Sequence, residues 1–325
     1  MVDYTKCSVI IPSYNSAETI LACLDAVTTQ DWPGPYEVIV VDSSNDATPQ
    51  LIRDHFPNVK LIALGHKTDP GTARNIGVAQ AQGEVLAFID SDCIASPDWL
   101  RRLIAHHVTG HDVVGGAVEN GNPSSLVGWA GYISEFREFL PVGDVRFTQH
   151  IPTCNISYKR FVFKEYGGFK GEYYPQEDLL YNWCLQQHGV AILFDPEIRV
   201  AHIHRTEMGS YLRHQLRIGR VTARVLKRTD LPGSWILRWP WLATLGLLVL
   251  PLVKFWRTLI VFFRWDWKVL LRRCCALPLF FLGLLAWAVG FALGAWEKDS
   301  SVSMPGARAT EESMSARSSS IETVT

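Results

Sequence analysis

Short apolar runs alternate with amphipathic stretches through the first 120 residues. Residues 7–11 (CSVII), 37–41 (EVIVV), 59–64, 84–89 (EVLAFI) and 113–118 have strand length and β-branched content. Between them the apolar positions recur at helical spacing. One helix follows Ser16 as N-cap, with Ile20, Leu21 and Leu24 on one face. Others are expected over 48 to about 55, 71–82 and 97–107, the last with Pro at its start. Residues 151–200 are less regular and include a helix over 176–187, and 202–228 read as a basic helix. Strands alternating with helices predict an α/β fold with a mostly parallel sheet. In such sheets ligands bind beyond the carboxyl ends of the strands.

After residue 228 the pattern changes. Residues 274–296 carry no formal charge, enough for a membrane span. Arg272 and Arg273 before it and Trp296 at its end suit interface anchors. Residues 239–253 are apolar but short and contain Pro240 and Pro251. Residues 254–273 hold six cations, one Asp and many aromatics, as an interfacial segment does. We therefore expect four parts: a soluble domain over 1–228, a basic, aromatic membrane-interface or re-entrant segment over 229–273, a transmembrane helix over 274–296 and a disordered tail over 297–325. A two-span hairpin is the alternative arrangement.

Charge sharpens this division. The formal net charge of the 325 residues is −1. Residues 1–204 carry 14 Lys+Arg against 24 Asp+Glu, whereas 205–273 carry 14 against 3. An acidic domain followed by a basic, Trp-rich stretch suits attachment to anionic lipid. It does not suit a nucleic-acid binder. Seven Cys without a CxxC pair indicate neither a disulfide framework nor a zinc site. The N-terminal residues lack the pattern of a signal peptide.

The candidate chemistry lies where strands end. Asp90-x-Asp92 closes the fourth strand. Two hard carboxylates there suit Mg²⁺ or Mn²⁺ shared with substrate phosphates, although an isolated Asp-x-Asp is more often a loop cap. Asp42 closes the second strand and could accept hydrogen bonds from a base or ribose. Gly71, Arg74 and Asn75 open a helix whose amides favour anions, and Arg74 could grip a phosphate. Glu177 and Asp178 open another helix, where acidic residues are ordinary dipole partners or a general base. His202 and His204 precede the basic helix and could complete a metal site.

Taken together, SVIIPSYN (8–15), EVIVVDSSNDAT (37–48), GTARNIG (71–77), VLAFIDSDC (85–93), CNISYKR (154–160) and QEDLLYNW (176–183) resemble the family 2 glycosyltransferases, which share the GT-A fold. The resemblance covers about residues 6–228. It implies that Pro12, Tyr14, Asn15 and Asp42 line the base and ribose pocket. Gly71, Arg74, Asn75 and Asp90 would lie near the ribose and diphosphate. Asp90 and Asp92 would bind Mg²⁺ or Mn²⁺, with His202 a further ligand candidate. Asp178 would be the base, with Glu177 beside it. The implied reaction is inverting transfer of one sugar from a UDP- or GDP-linked donor to a lipid-linked or glycan hydroxyl at the cytoplasmic membrane face. The loop after Asp42 lacks a glycine often found there, and the Gln-x-x-Arg-Trp motif of processive members is absent, which argues against polymer synthesis. A polyprenyl-phosphate sugar synthase, a non-catalytic membrane scaffold of the same fold and a nucleotidyltransferase are the rival readings.

Overall fold

A computed structural model of the protein describes residues 5–298. The expected tail falls outside the described residues but for its first two positions. The chain opens as strand β1 (Cys7–Ser13), helix α1 (Ile20–Thr28), β2 (Tyr36–Asp42), α2 (Thr48–His55), β3 (Lys60–Ala63), α3 (Pro70–Gln80) and β4 (Val85–Phe88). These follow the expected alternation closely. β5 (Cys93–Ala95), α4 (Trp99–Val108), β6 (Val113–Asn120), α5 (Leu126–Glu135), β7 (Arg146–Thr148), β8 (Ile156–Lys159) and α6 (Arg160–Tyr166) come next. Then α7 (Glu177–Gln187), β9 (Ile192–His202) and α8 (Met208–Leu226) follow.

The sheet runs β3-β2-β1-β4-β8-β6-β9-β5, with β7 also on β9. It is mixed, which corrects the expectation of a mostly parallel sheet. β1 pairs in parallel with β2 and β4, as β2 does with β3. β8 then enters antiparallel between β4 and β6. The change of direction is pinned by the fully buried Asn155, just before β8. Its Nδ2 donates to the carbonyls of Ala117 and Ile198, and its Oδ1 accepts from Trp99 Nε1. A buried amide with every partner supplied fixes its neighbours' register, since leaving one unpaired costs about 1–3 kcal/mol.

The central strands are buried along most of their length, with Val9, Ile10, Ile11, Ile39, Val40, Val41, Leu86, Ala87 and Phe88 at the sheet's centre. Strands covered on both faces read as continuous apolar runs, which is why the pattern was so plain in the sequence.

After α8 come α9 (Pro240–Leu245), α10 (Leu250–Trp265), α11 (Trp267–Arg272) and α12 (Leu277–Trp296). The short apolar stretch 239–253 is broken: α9 ends at Leu245, and Pro251 sits in the first turn of α10, where Pro is tolerated. Residues Cys274–Trp296 form the single stretch among those described that is long and apolar enough to cross a membrane, with mean hydropathy 2.2, and half of it is buried. The cover comes from α8, which runs beside α12 in the same direction. A Cβ on Gly219 would stand 1.9 Å from the Trp287 carbonyl oxygen, and one on Gly290 would stand 1.9 Å from that of Leu216. Only glycine permits that approach. Lys227 Nζ donates to the Gly294 and Glu297 carbonyls, satisfying the end of α12.

Candidate functional site

The loops after β1 and β2 are sewn together. Asn15, in the left-handed region at φ 52°, accepts at Oδ1 from the Asn45 amide, and its own amide donates to Ser44 Oγ. Asp42 is buried, and its two oxygens accept from the hydroxyl and amide of Ser44. Ser16 Oγ meets Ser91 Oγ at 2.7 Å, tying this pair of loops to the one that carries Asp90 and Asp92. Tyr14 is exposed, with Lys67 Nζ 4.4 Å above its ring. Pro12 is buried inside β1, so it shapes the strand end without presenting its ring to a ligand.

A cavity of about 380 Å³ opens beyond the strand ends. Arg74, Asp90, Asp92, Glu177, Asp178 and His202 all line it. These residues come from α3, the turn after β4, α7 and the end of β9. Asp178 is held by its surroundings: Oδ2 accepts from the Thr153 amide at 3.2 Å and Oδ1 from the Leu179 amide at 2.7 Å.

Arg74 differs from its expected role. It is buried, with one guanidinium nitrogen donating to Asp90 Oδ1 at 2.6 Å and another to Glu177 Oε1 at 2.7 Å. It clamps the turn after β4 to the start of α7 with both terminal nitrogens, and its Nε is buried without a partner. Burial pushes the Glu177 carboxyl up, against the pull of Arg74. Glu177 is thus a structural partner in this triad, while Asp178 faces the cavity.

Gly71 and Asn75 are also engaged in packing, and like Tyr14, Asn15 and Asp42 they stand outside the lining of this cavity. A Cβ on Gly71 would stand 3.0 Å from Glu177 Cγ, so the small residue makes room for α7. The N-terminus of α3 is already capped by Asp69, which accepts from the Thr72 amide. Asn75 spends both ends of its amide on the backbone of Phe169.

Asp92 and His202 fit a divalent cation. Asp92 Oδ1 lies 3.6 Å from His202 Nε2; the carboxylate suits Mn²⁺ or Mg²⁺, and the added imidazole favours a transition ion such as Mn²⁺ over Mg²⁺, which takes oxygen ligands. His202 Nδ1 is buried without a hydrogen-bond partner. Cys93 Sγ belongs to the same group of potential ligand atoms. Burial pushes its thiol far up, however, which leaves it a poor ligand.

Sequence reasoning missed one wall of this cavity. Glu135, Arg137, Arg205, His214 and Lys254 also line it, with Ile218, Leu284 and Trp287 from α8 and α12. Burial opposes ionisation of Glu135, yet His214, His204 and Arg205 overcome it and hold its carboxyl at about 2. Glu135 sits at the end of an apolar helix, and no spacing in the sequence links it to His214.

Comparison with known proteins agrees with this geometry. The family model for glycosyl transferase family 2 matches residues 8–167. Glycosyltransferase AglE of Haloferax volcanii is 31% identical over 243 residues, which cover 71% of this chain and 79% of AglE. The succinoglycan biosynthesis protein ExoO of Rhizobium meliloti is 42% identical over 96 residues, or 29% of this chain and 28% of ExoO. Among solved structures, the mannosyltransferase PcManGT from Pyrobaculum calidifontis, in complex with GDP-Man and Mn²⁺, superposes with a TM-score of 0.59 at 20% identity. The match covers 91% of this chain and 89% of that one, a likeness of fold. The sheet order, the carboxylate-lined cavity and the relatedness to AglE lead to one conclusion: this chain belongs to glycosyltransferase family 2 and is a glycosyltransferase of the GT-A fold.

Proposed function

We propose that the protein is an inverting enzyme. It moves one sugar from a UDP- or GDP-linked donor to the hydroxyl of a lipid-linked or glycan acceptor at the cytoplasmic membrane face. The observation that carries this reading is the convergence of Asp90, Asp92, Asp178 and His202 on one cavity. Asp42, Tyr14 and Asn15 sit at the neighbouring strand ends, where a nucleoside would lie. A Mg²⁺ or Mn²⁺ ion held by Asp92 and His202, with Asp90 beside them, would stabilise charge on the departing diphosphate. Asp178 takes the proton of the acceptor hydroxyl. The acceptor oxygen bonds to C1 of the sugar as the C1–O bond to the diphosphate breaks, and the electron pair of that bond leaves with the nucleoside diphosphate. The two amides on Asp178 fix its oxygens in direction, so little reorganisation is needed during the step.

The membrane part of the proposal rests on the surface of α9 to α12. Trp239, Trp241, Trp256, Trp265, Trp267 and Trp296 are exposed there, amid the cations Arg238, Arg257, Arg264, Lys268, Arg272 and Arg273. Aromatic rings and basic side chains together suit a headgroup layer. We read this face as seated along the membrane surface. Arg213, Arg217 and Arg220 of α8 are exposed beside α12. An arginine at the centre of a bilayer costs about 2.5–3.5 kcal/mol on insertion scales. With α8 in place, α12 lies along the surface in this reading, and the crossing expected from its length gives way to in-plane seating.

The test is a melting-temperature screen of the full chain with UDP- and GDP-sugars, with and without Mn²⁺, followed by assay for free nucleoside diphosphate. One donor should raise the melting temperature by mass action only with Mn²⁺, and Asp92→Ala should abolish that dependence. Absence of any shift and any nucleotide release across the screen would remove the transferase reading and favour the scaffold.

A further inference from the structure

The cavity has a second cationic wall that the transfer step leaves unused. Lys254, on α10, lines it with its Nζ 3.5 Å above the Trp287 ring of α12. No carboxylate pairs with Lys254 among the described residues. Arg137, at the end of α5, lines the same wall. Its Nε is buried without a partner, one nitrogen donates to the Ser134 carbonyl, and Glu138 lies 3.5 Å from another. Glu138 is the acidic residue nearest the pair, and it is already bound by Arg257 at 2.7 Å. Burial, with Arg137 and Arg257 nearby, holds the Lys254 ammonium well below its ordinary range. Lys254 is half-buried, with the Trp287 ring as its one close partner and no carboxylate, and a partly desolvated cation of this kind gains from an anion beside it.

The surroundings narrow the anion. Ile218, Leu284 and Trp287 continue the wall as an apolar strip on α8 and α12, the two helices that lead to the exposed Trp-rich face. Two carboxylates share this wall, Glu135 and Glu138, and each is already engaged, by His214 and by Arg257 and Arg137; Asp90, Asp92 and Asp178 lie on the turn after β4 and on α7. A phosphate would be repelled by Asp178 and attracted by Lys254 and Arg137. From this juxtaposition we propose that Lys254 and Arg137 form a phosphate subsite for the acceptor. That acceptor is a lipid-linked phosphate whose chain leaves along Ile218, Leu284 and Trp287, while a hydroxyl further along it meets Asp178. This rests on the transferase reading and names its acceptor class. A phosphate that itself attacked C1 would have to sit against Asp178, so the geometry favours a sugar-bearing lipid phosphate over a bare polyprenyl phosphate.

The experiment measures melting of the full chain in neutral detergent micelles, without donor or metal, so it succeeds or fails independently of catalysis. The probes are farnesyl phosphate, farnesol, inorganic phosphate and phosphatidylglycerol, at matched concentration. Farnesyl phosphate should raise the melting temperature well above the other three. Lys254→Met should abolish that rise, and Arg238→Gln, which removes an exposed cation of the same face, should retain it. Equal protection by farnesol would show a greasy groove with no phosphate recognition. Equal protection by inorganic phosphate or phosphatidylglycerol would show a site for any anion. Either result overturns the proposal, as does a Lys254→Met chain that responds like the wild type. The four wild-type arms stand without the variant should it not fold. The ligand-free melting temperature of Lys254→Met separates a binding role from a structural one: it should not fall, because Lys254 has no carboxylate partner to lose and Met keeps an unbranched side chain beside Trp287.

Discussion

The two ends of the cavity treat their cations in opposite ways. At one end Arg74 is buried with a carboxylate on each side, Asp90 and Glu177. At the other, Lys254 and Arg137 are half-buried: Lys254 pairs with no carboxylate among the described residues, and Arg137 has only a long contact to Glu138, 3.5 Å away and already held by Arg257. Arg74 is saturated in charge rather than in hydrogen bonds: each terminal nitrogen holds a carboxylate while its buried Nε has no partner, and it serves as frame. An unsaturated cation waits for a ligand. The difference teaches that basic side chains around a transferase site cannot be assigned to phosphate by residue type alone. Their existing partners decide.

Removing the saturated cation should have the largest effect. Arg74→Met leaves two buried or half-buried carboxylates facing each other, and breaking such a group typically costs about 3–5 kcal/mol. Denaturant unfolding of the wild type and variant measures it, and a loss under about 1 kcal/mol would mean that Arg74 acts as a surface ion pair despite its burial. The second effect lies away from the cavity. His107 is buried, its Nδ1 2.9 Å from the His111 carbonyl and its Nε2 2.7 Å from Ser157 Oγ, and burial holds its pKa down to about 4. The folded chain therefore prefers the neutral ring. The stability this provides is fully present above about 6.5 and is lost as pH falls from there through 4. The shift corresponds to about 3 kcal/mol, so His107→Gln should flatten the fall of melting temperature between pH 6.5 and 4. Lys254→Met, the unsaturated counterpart of Arg74→Met, should change ligand-free stability least, and upward if at all.

Much of the parallel part of the sheet was legible in the sequence because its signals are local. Parallel strands buried on both faces give unbroken apolar runs, and the polar residues that end them, Asp42, Asp90 and Asp92, mark the ligand side. The assembly of Asp178 with that pair was not local and came from the resemblance of the whole motif set, whereas His202 was a candidate from the His-Ile-His pair itself. The small residues GTA at 71–73 were a true signal read for the wrong guest: the space they leave admits Glu177 of α7. Arg74 read as a phosphate ligand because its burial depends on α7, a hundred residues away. Lys254 was one of six cations in an amphipathic segment, and only the packing of α10 on α12 partly withdraws it from water. Glu135 and Arg137 lie in SEFRE at a helix end, where sequence carries no hint of the cavity. The antiparallel entry of β8 likewise depends on Asn155 reaching three elements at once.

The account's central claim is that Asp178 serves as the base for an acceptor hydroxyl. The most direct measurement is the turnover of Asp178→Asn against wild type, as transfer of labelled sugar from the identified donor into an extract of lipid-linked acceptors. Loss of general-base catalysis should lower turnover by about 100-fold or more, with the ligand-free melting temperature nearly unchanged. An Asn variant that transfers at close to the wild-type rate would contradict the claim and point to a phosphate nucleophile that needs no base.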